Sequence, residues 1–159
     1  MLGVMSDTHD NEKNTAKALN IFRKRNIKTI LHAGDFISLK LLSQFEGFKL
    51  YLAIGNCDLY GQSSELFFVR NGQPKPRGEH ILNIEGKKIF LTHGDSTLSI
   101  QRAIECEEYD YIIKGHTHFV ENYKKNGTRI LNPGAVSRAD ICSVGILHPY
   151  LDKWEIINL

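Results

Sequence analysis

The chain has 159 residues, of which 42% are apolar and 24% charged, with a formal net charge of +2. That is enough chain for one globular domain over residues 1–159, and too little net charge for a nucleic-acid surface, so stable nucleic-acid binding is not expected. Cys57, Cys106 and Cys142 are an odd number without Cys-x-x-Cys spacing, which excludes a disulfide framework and a zinc knuckle and fits the cytoplasm.

Leu2 to Met5 is a short continuous apolar run, too short for a signal peptide, and reads as a strand buried on both faces. It stops at Asp7-Thr8-His9, where a continuing extended backbone would aim Asp7 and His9 the same way. Taken alone, Asp7 reads equally as a turn or cap residue. Asp10-Asn11 offers a cap for a helix to about Arg25, with Thr15, Ala16, Leu19 and Phe22 on its apolar side. Lys13, Lys17, Arg23, Lys24 and Arg25 form its solvated face.

Ile27 to Leu31 is the second strand, ending at His32-Ala33-Gly34-Asp35. Asp35 is the best-placed carboxylate to touch two cations, and His32 takes a supporting or core role. Ser38 to Phe45 reads as a short amphipathic helix with Leu39, Leu42 and Phe45 on one face. Leu50 to Ile54 is the third strand and stops at Gly55-Asn56-Cys57-Asp58, where the Asn56 amide oxygen is a ligand for a hard cation, or the pair an ordinary turn. Residues 59–79 are the least regular stretch, broken by Gly61, Gly72, Pro74, Pro76 and Gly78, with a basic tip at Lys75, Pro76 and Arg77.

His80 to Ile84 and Lys87 to Thr92 form a hairpin over Glu85-Gly86, and the second strand stops at His93-Gly94-Asp95. Ser96 caps a helix to about Glu105 with Leu98, Ala103 and Ile104 as apolar members. Tyr109 to Lys114 is a strand ending in Gly115-His116-Thr117-His118. Phe119 to Lys124 and Thr128 to Leu131 make a hairpin over Asn126-Gly127, and Asn132-Pro133-Gly134 is a tight turn. Cys142 to Leu147 and Trp154 to Ile157 close the chain as an antiparallel pair. No apolar run approaches the length of a membrane span.

Five apolar strands thus end in metal-capable groups: Asp7 and His9, Asp35, Asn56, His93, and His116 with His118. Ligands of open α/β sheets bind outside the carboxyl ends of the strands, so these groups should meet on one rim. Seven nitrogen and oxygen donors are too many for one tetrahedral zinc and suit two ions about 3.5–4 Å apart with a shared carboxylate.

The ordered set Asp7-Thr8-His9, Gly34-Asp35, Gly55-Asn56, Thr92-His93-Gly94 and Gly115-His116-Thr117-His118 resembles the calcineurin-like metallophosphoesterase superfamily, in particular its small YfcE-type phosphodiesterases. The resemblance spans residues 2 to about 147 and implies a four-layer α/β/β/α sandwich of two mixed sheets flanked by helices. It implies that Asp7, His9, Asp35 and His118 hold a first divalent ion and Asp35, Asn56, His93 and His116 a second, Asp35 bridging. Manganese comes first, with nickel, iron, zinc and magnesium as alternatives. Asp35, Asn56 and His116 are the residues placed nearest the chemistry.

Many superfamily members have a histidine directly after Gly-Asn that protonates the leaving group; here that residue is Cys57, read as a small buried apolar residue. A thiol is a poor substitute for an imidazolium, and near two cations its thiolate would be favoured; Asp58 is a carboxylate and starts deprotonated. The implied function is a phosphodiesterase in which a metal-bridging hydroxide attacks a small-molecule or nucleotide-like phosphodiester. No Ser-His-Asp or P-loop pattern competes with it. The alternative is a non-catalytic protein-interaction scaffold, as the retromer scaffold subunit with a similar fold illustrates; complete retention of the donor set speaks against it. Substrate choice belongs to the stretches 59–79 and 132–140. A homo-oligomer through a sheet edge or helix face is compatible with the chain, though no apolar patch stands out.

Overall fold

The computed structural model describes residues 1–58 and 62–159. In chain order its elements are β1 (Leu2–Met5), α1 (Glu12–Lys24), β2 (Thr29–His32), a 3-10 helix (Leu39–Phe45), β3 (Lys49–Leu52), α2 (Gln62–Arg70), β4 (Glu79–Ile84), β5 (Lys87–Thr92), α3 (Thr97–Glu105), β6 (Tyr111–Ile113), β7 (Val120–Lys125), β8 (Thr128–Pro133), β9 (Ser143–His148) and β10 (Lys153–Asn158).

Two mixed five-stranded sheets form, in the orders β10-β9-β1-β2-β3 and β4-β5-β6-β8-β7. β1, β2 and β3 are parallel, as are β5, β6 and β8. Alternation along the central strands builds the layers. In β1, Met5 joins Ile30, Leu50 and Leu52 under Leu19 and Phe22 of α1. Leu2 and Val4 point the other way, against Leu91, Ile113 and Leu131 of the second sheet. The far face of that sheet sends Phe90, Ile112 and Ile130 onto Ala103 and Ile104 of α3. The result is the expected α/β/β/α order. A strand buried on both faces needs no polar alternation, which is why β1 reads as a continuous apolar run.

α1 is capped by the Asn11 side chain, which accepts from the Asn14 N–H at 3.0 Å. Its buried residues are Thr15, Ala18, Leu19 and Phe22; Ala16, expected inside, faces solvent, because the stripe runs through Ala18 at three and four residues from its buried neighbours. The basic residues of α1 are exposed as expected. The stretch from Ser38 is helical but wound as a 3-10 helix with Ser38 as its cap. In α3, Leu98 is 56% exposed, and Ala103 and Ile104, with the partly buried Ile100, face the sheet instead.

Residues 59–79 depart most from expectation, because α2 forms within them; residues 59–61, Gly61 included, lie outside the described residues. Phe68 is the buried apolar residue of α2, while Leu66, Phe67 and Val69 are exposed, so the helix lacks the stripe that sequence patterns reveal. After α2 the chain runs beside β3: Ile54 donates to the Arg77 carbonyl at 2.8 Å and Arg77 to that of Leu52 at 3.2 Å. The expected basic tip is partly neutralised by a 2.6 Å ion pair between Lys75 and Glu65. Among the described residues no helix is long and apolar enough to cross a membrane.

Candidate metal centre

The parallel strands deliver the loops after β1, β2, β3, β5 and β6 to one rim. Backbone bonds lock these loops together: Asp7 N–H to Gly34 carbonyl (3.0 Å), His9 N–H to Asp35 carbonyl (3.0 Å) and Gly115 N–H to His93 carbonyl (2.8 Å). Asp7 and His9 do converge, but not along an extended strand. Asp7, His9 and Asp10 have φ of 54°, 42° and 57°, and Asp35, His116 and His118 are also left-handed at 56°, 65° and 62°. Such conformations cost free energy for residues with a Cβ, and their clustering at one rim is the signature of a built site.

The donors form two groups. In the first, His118 Nε2 lies 3.2 Å from Asp7 Oδ1, and His9 Nε2 lies 3.9 Å from Asp7 Oδ1 and 3.6 Å from Asp35 Oδ2. In the second, Asn56 Oδ1 is 3.0 Å from His93 Nε2 and 3.1 Å from His116 Nδ1, and the two imidazole nitrogens are 3.2 Å apart. Asp35 stands between: Oδ2 faces His9, while Oδ1 faces His93 Nε2 at 3.5 Å. Asp7 also reaches toward the second group, its carboxylate lying within 4.8 Å of Asp35 and His93 donor atoms. All seven residues singled out from the sequence are therefore gathered here.

The surroundings fix which atoms face inward. The His93 Nδ1 site lies 2.8 Å from the Ala33 carbonyl and that of His118 3.0 Å from the Arg138 carbonyl. A carbonyl can only accept, so each imidazole donates from Nδ1 and turns the Nε2 lone pair inward. Asp7 Oδ2 takes the Ser6 hydroxyl and the His116 N–H, which leaves Asp7 Oδ1 buried with no hydrogen-bond partner. Both ring nitrogens of His9 are likewise buried and unpartnered. Glycine is required where these loops touch. At Gly34, φ is 91° and a Cβ would overlap the His93 ring; at Gly115 it would overlap Ser6 Oγ.

Asp58, read from the sequence only as a carboxylate that starts deprotonated, has a structural part that its position in the chain does not reveal. It is 8% exposed and accepts three backbone N–H bonds: from Asp35 (3.0 Å) and Gly55 (2.8 Å) on Oδ2, and from Ile37 (2.6 Å) on Oδ1. Ile37 sits at φ 74°, a strained position for a β-branched residue that this bond holds. Asp58 thereby ties the Asp35 loop to the Asn56 loop. Cys57 is not a buried apolar residue but half-buried; its N–H donates to Asp35 Oδ1 at 2.9 Å, and its thiol lies within 4.8 Å of His9 and Asp35 donor atoms. His32 takes the core role: it is fully buried, with Nε2 3.2 Å from Thr8 Oγ1.

Burial and His93 push the His32 pKa down to about 3, so it is neutral. His9 is lowered by burial and by the Arg138 guanidinium. Burial works to raise Asp35, but the Cys57 N–H and the neighbouring His93 and His9 hold it below the ordinary carboxylate value. The Cys57 thiol is raised by its hydrogen bond to Asp35 and by burial, and Asp58 is raised chiefly by burial.

These residues fit divalent ions. Donors about 2.0–2.2 Å from one cation lie roughly 3.0–3.5 Å from one another, and the Asn56–His93–His116 trio and the Asp7–His118 pair have that spacing. A buried carboxylate oxygen and an imidazole without partners are costly unless something else satisfies them, and a cation does so.

The comparisons agree with the geometry. Residues 1–148 match the calcineurin-like phosphoesterase superfamily domain, and the chain belongs to that superfamily. A phosphodiesterase of Methanocaldococcus jannaschii, MJ0936, is 33% identical over 99% of this chain and 98% of its own. The solved structure described as a novel archaeal phosphodiesterase superposes with a TM-score of 0.90 at 32% identity, over 99% of both chains. The E. coli phosphoesterase Yfce, at 20% identity and a TM-score of 0.69 over 93% of this chain and 88% of its own, shares the fold.

Proposed function

We propose that this chain is a phosphodiesterase that works with two divalent ions. Asp7, His9, Asp35 and His118 would hold the first, and Asp35, Asn56, His93 and His116 the second. The observation that carries this reading is the Asp35 carboxylate, which turns one oxygen toward each donor group. The similarity to a named phosphodiesterase over nearly the full length of both chains supports the diester preference. When bound, two such ions would supply Lewis acidity to the phosphate oxygens and lower the pKa of a water.

The chain's own work is preorganisation. His93 and His118 are oriented by backbone carbonyls, Asp58 holds the Asp35 and Asn56 loops in register, and Asn56 contributes a neutral oxygen. The residue directly after Asn56 is Cys57, not a histidine that could protonate a leaving group, and its thiol is raised by its hydrogen bond to Asp35. Diesters with good leaving groups are therefore the preferred substrates. Metal content tests the ligand assignment. Manganese-reconstituted, dialysed wild-type protein should retain two ions per chain and His93→Ala about one. Full retention of both ions by the variant would contradict the assignment.

A further inference from the structure

Beside the donor His118 opens a cleft of about 460 Å³ that none of the other six proposed ligands lines. Its walls come from two segments: His118, Phe119 and Val120 entering β7, and Arg138, Asp140 and Ile141 from the 132–140 stretch and the residue after it. Phe119 is 73% exposed, Ile141 66% and Val120 49%, an unusual concentration of apolar surface next to a polar centre.

The backbone at Arg138 is fixed, while its side chain is exposed. Its carbonyl takes the His118 Nδ1 proton at 3.0 Å, and its own φ is 58°. The residues before it are tied to the first donor loop: Val136 N–H donates to the Ser6 carbonyl at 3.0 Å and Ser137 N–H to that of Asp7 at 3.1 Å. Asn14 Nδ2 adds a bond to the Val136 carbonyl at 2.9 Å. Arg138 lines the same cleft as His118, beside the first donor group. Among the described residues it forms no ion pair with a carboxylate.

We infer that this cleft is the substrate's organic subsite: Arg138 pairs with the phosphate while an aromatic ring carried by that phosphate lies against Phe119, Val120 and Ile141. This rests on the phosphodiesterase reading and names the substrate class within it, an aryl- or nucleobase-bearing phosphodiester. Arg138 supplies the charge that a phosphodiester anion needs, guanidinium being the preferred planar partner for its oxygens, and the Asp140 carboxylate in the same wall disfavours a second negative group on the ring. The apolar wall is continuous with His118, so one molecule spans both. A flat ring buries area against the Phe119 ring in an offset or edge arrangement without asking the wall for a hydrogen bond.

The test is isothermal titration of the manganese-loaded protein with phenyl phosphate and methyl phosphate, which share the anion and differ in the ring. Wild type should bind phenyl phosphate about tenfold more tightly. Phe119→Ala and Ile141→Ala, both at exposed positions, should cut that ratio to within about twofold. Arg138→Gln should weaken both probes by a similar factor, about tenfold. A wild-type ratio near one, or a ratio unchanged in both apolar variants, would overturn the proposal. Turnover of bis(p-nitrophenyl) phosphate is followed in parallel: its absence would overturn the phosphodiesterase reading, whereas turnover with no ring preference would overturn only the subsite.

Discussion

Asp58 takes no place among the proposed ligands, yet its loss should be felt at all of them. Three backbone donors end on its carboxylate, two from the loop that carries Asp35 and one from the loop that carries Asn56. Asp58→Ala leaves those donors buried and unpaired, at a cost of about 1–3 kcal/mol each before relaxation. It should lower the urea midpoint and weaken manganese binding by about 10–100-fold. Unchanged manganese affinity in folded Asp58→Ala protein would remove it from the supporting shell. His32 sets a pH dependence. Its folded pKa, about 3, lies below the ordinary 6.5, so the unfolded chain takes up the proton first. Its contribution to stability is complete above about pH 6.5 and is lost as pH falls from there toward 3. The urea midpoint should therefore drop less between pH 7.5 and pH 5 in His32→Gln than in wild type; equal drops would contradict a buried neutral imidazole. The donors themselves were legible because each follows an apolar run and sits in a Gly- or turn-bearing segment. Asp58 and Arg138 were not, because what they touch is set by loops distant in sequence.

Elements were legible where burial is patterned. β1, β2 and β5 carry near-continuous apolar runs because both faces are covered, and the hairpin turns Glu85-Gly86 and Asn126-Gly127 mark their own positions. α2 escaped because Leu66, Phe67 and Val69 are exposed while Phe68 between them is buried, so neither a helical stripe nor a strand alternation shows. The same physics separates two apolar positions that look alike in sequence. Phe22 is fully buried beneath α1, with its ring over Gly3, whereas Leu98 is mostly exposed on α3. Phe22→Ala should cost about 3–5 kcal/mol and Leu98→Ser under about 0.5 kcal/mol in equilibrium urea unfolding. Comparable losses would mean that α3 packs through the wrong face.

At the scale of the whole molecule, two sheets back to back put five strand ends on one rim, and that topology does what no local motif can. It brings together residues as far apart as Asp7 and His118. The proposed activity needs both donor groups, because the phosphate must be held while the attacking water is made acidic. The residue after Asn56 is Cys57 and not a histidine, so turnover of aryl diesters should fall steeply as the leaving-group pKa rises. A flat dependence with chemistry rate-limiting would show that a proton donor has been overlooked. The most direct measurement is hydrolysis of bis(p-nitrophenyl) phosphate by metal-stripped protein, before and after manganese is added, beside His116→Ala. Turnover that appears only with manganese and falls at least about 100-fold in the variant is the predicted result. No turnover by folded wild-type protein with manganese, nickel, iron, zinc or magnesium would contradict the account.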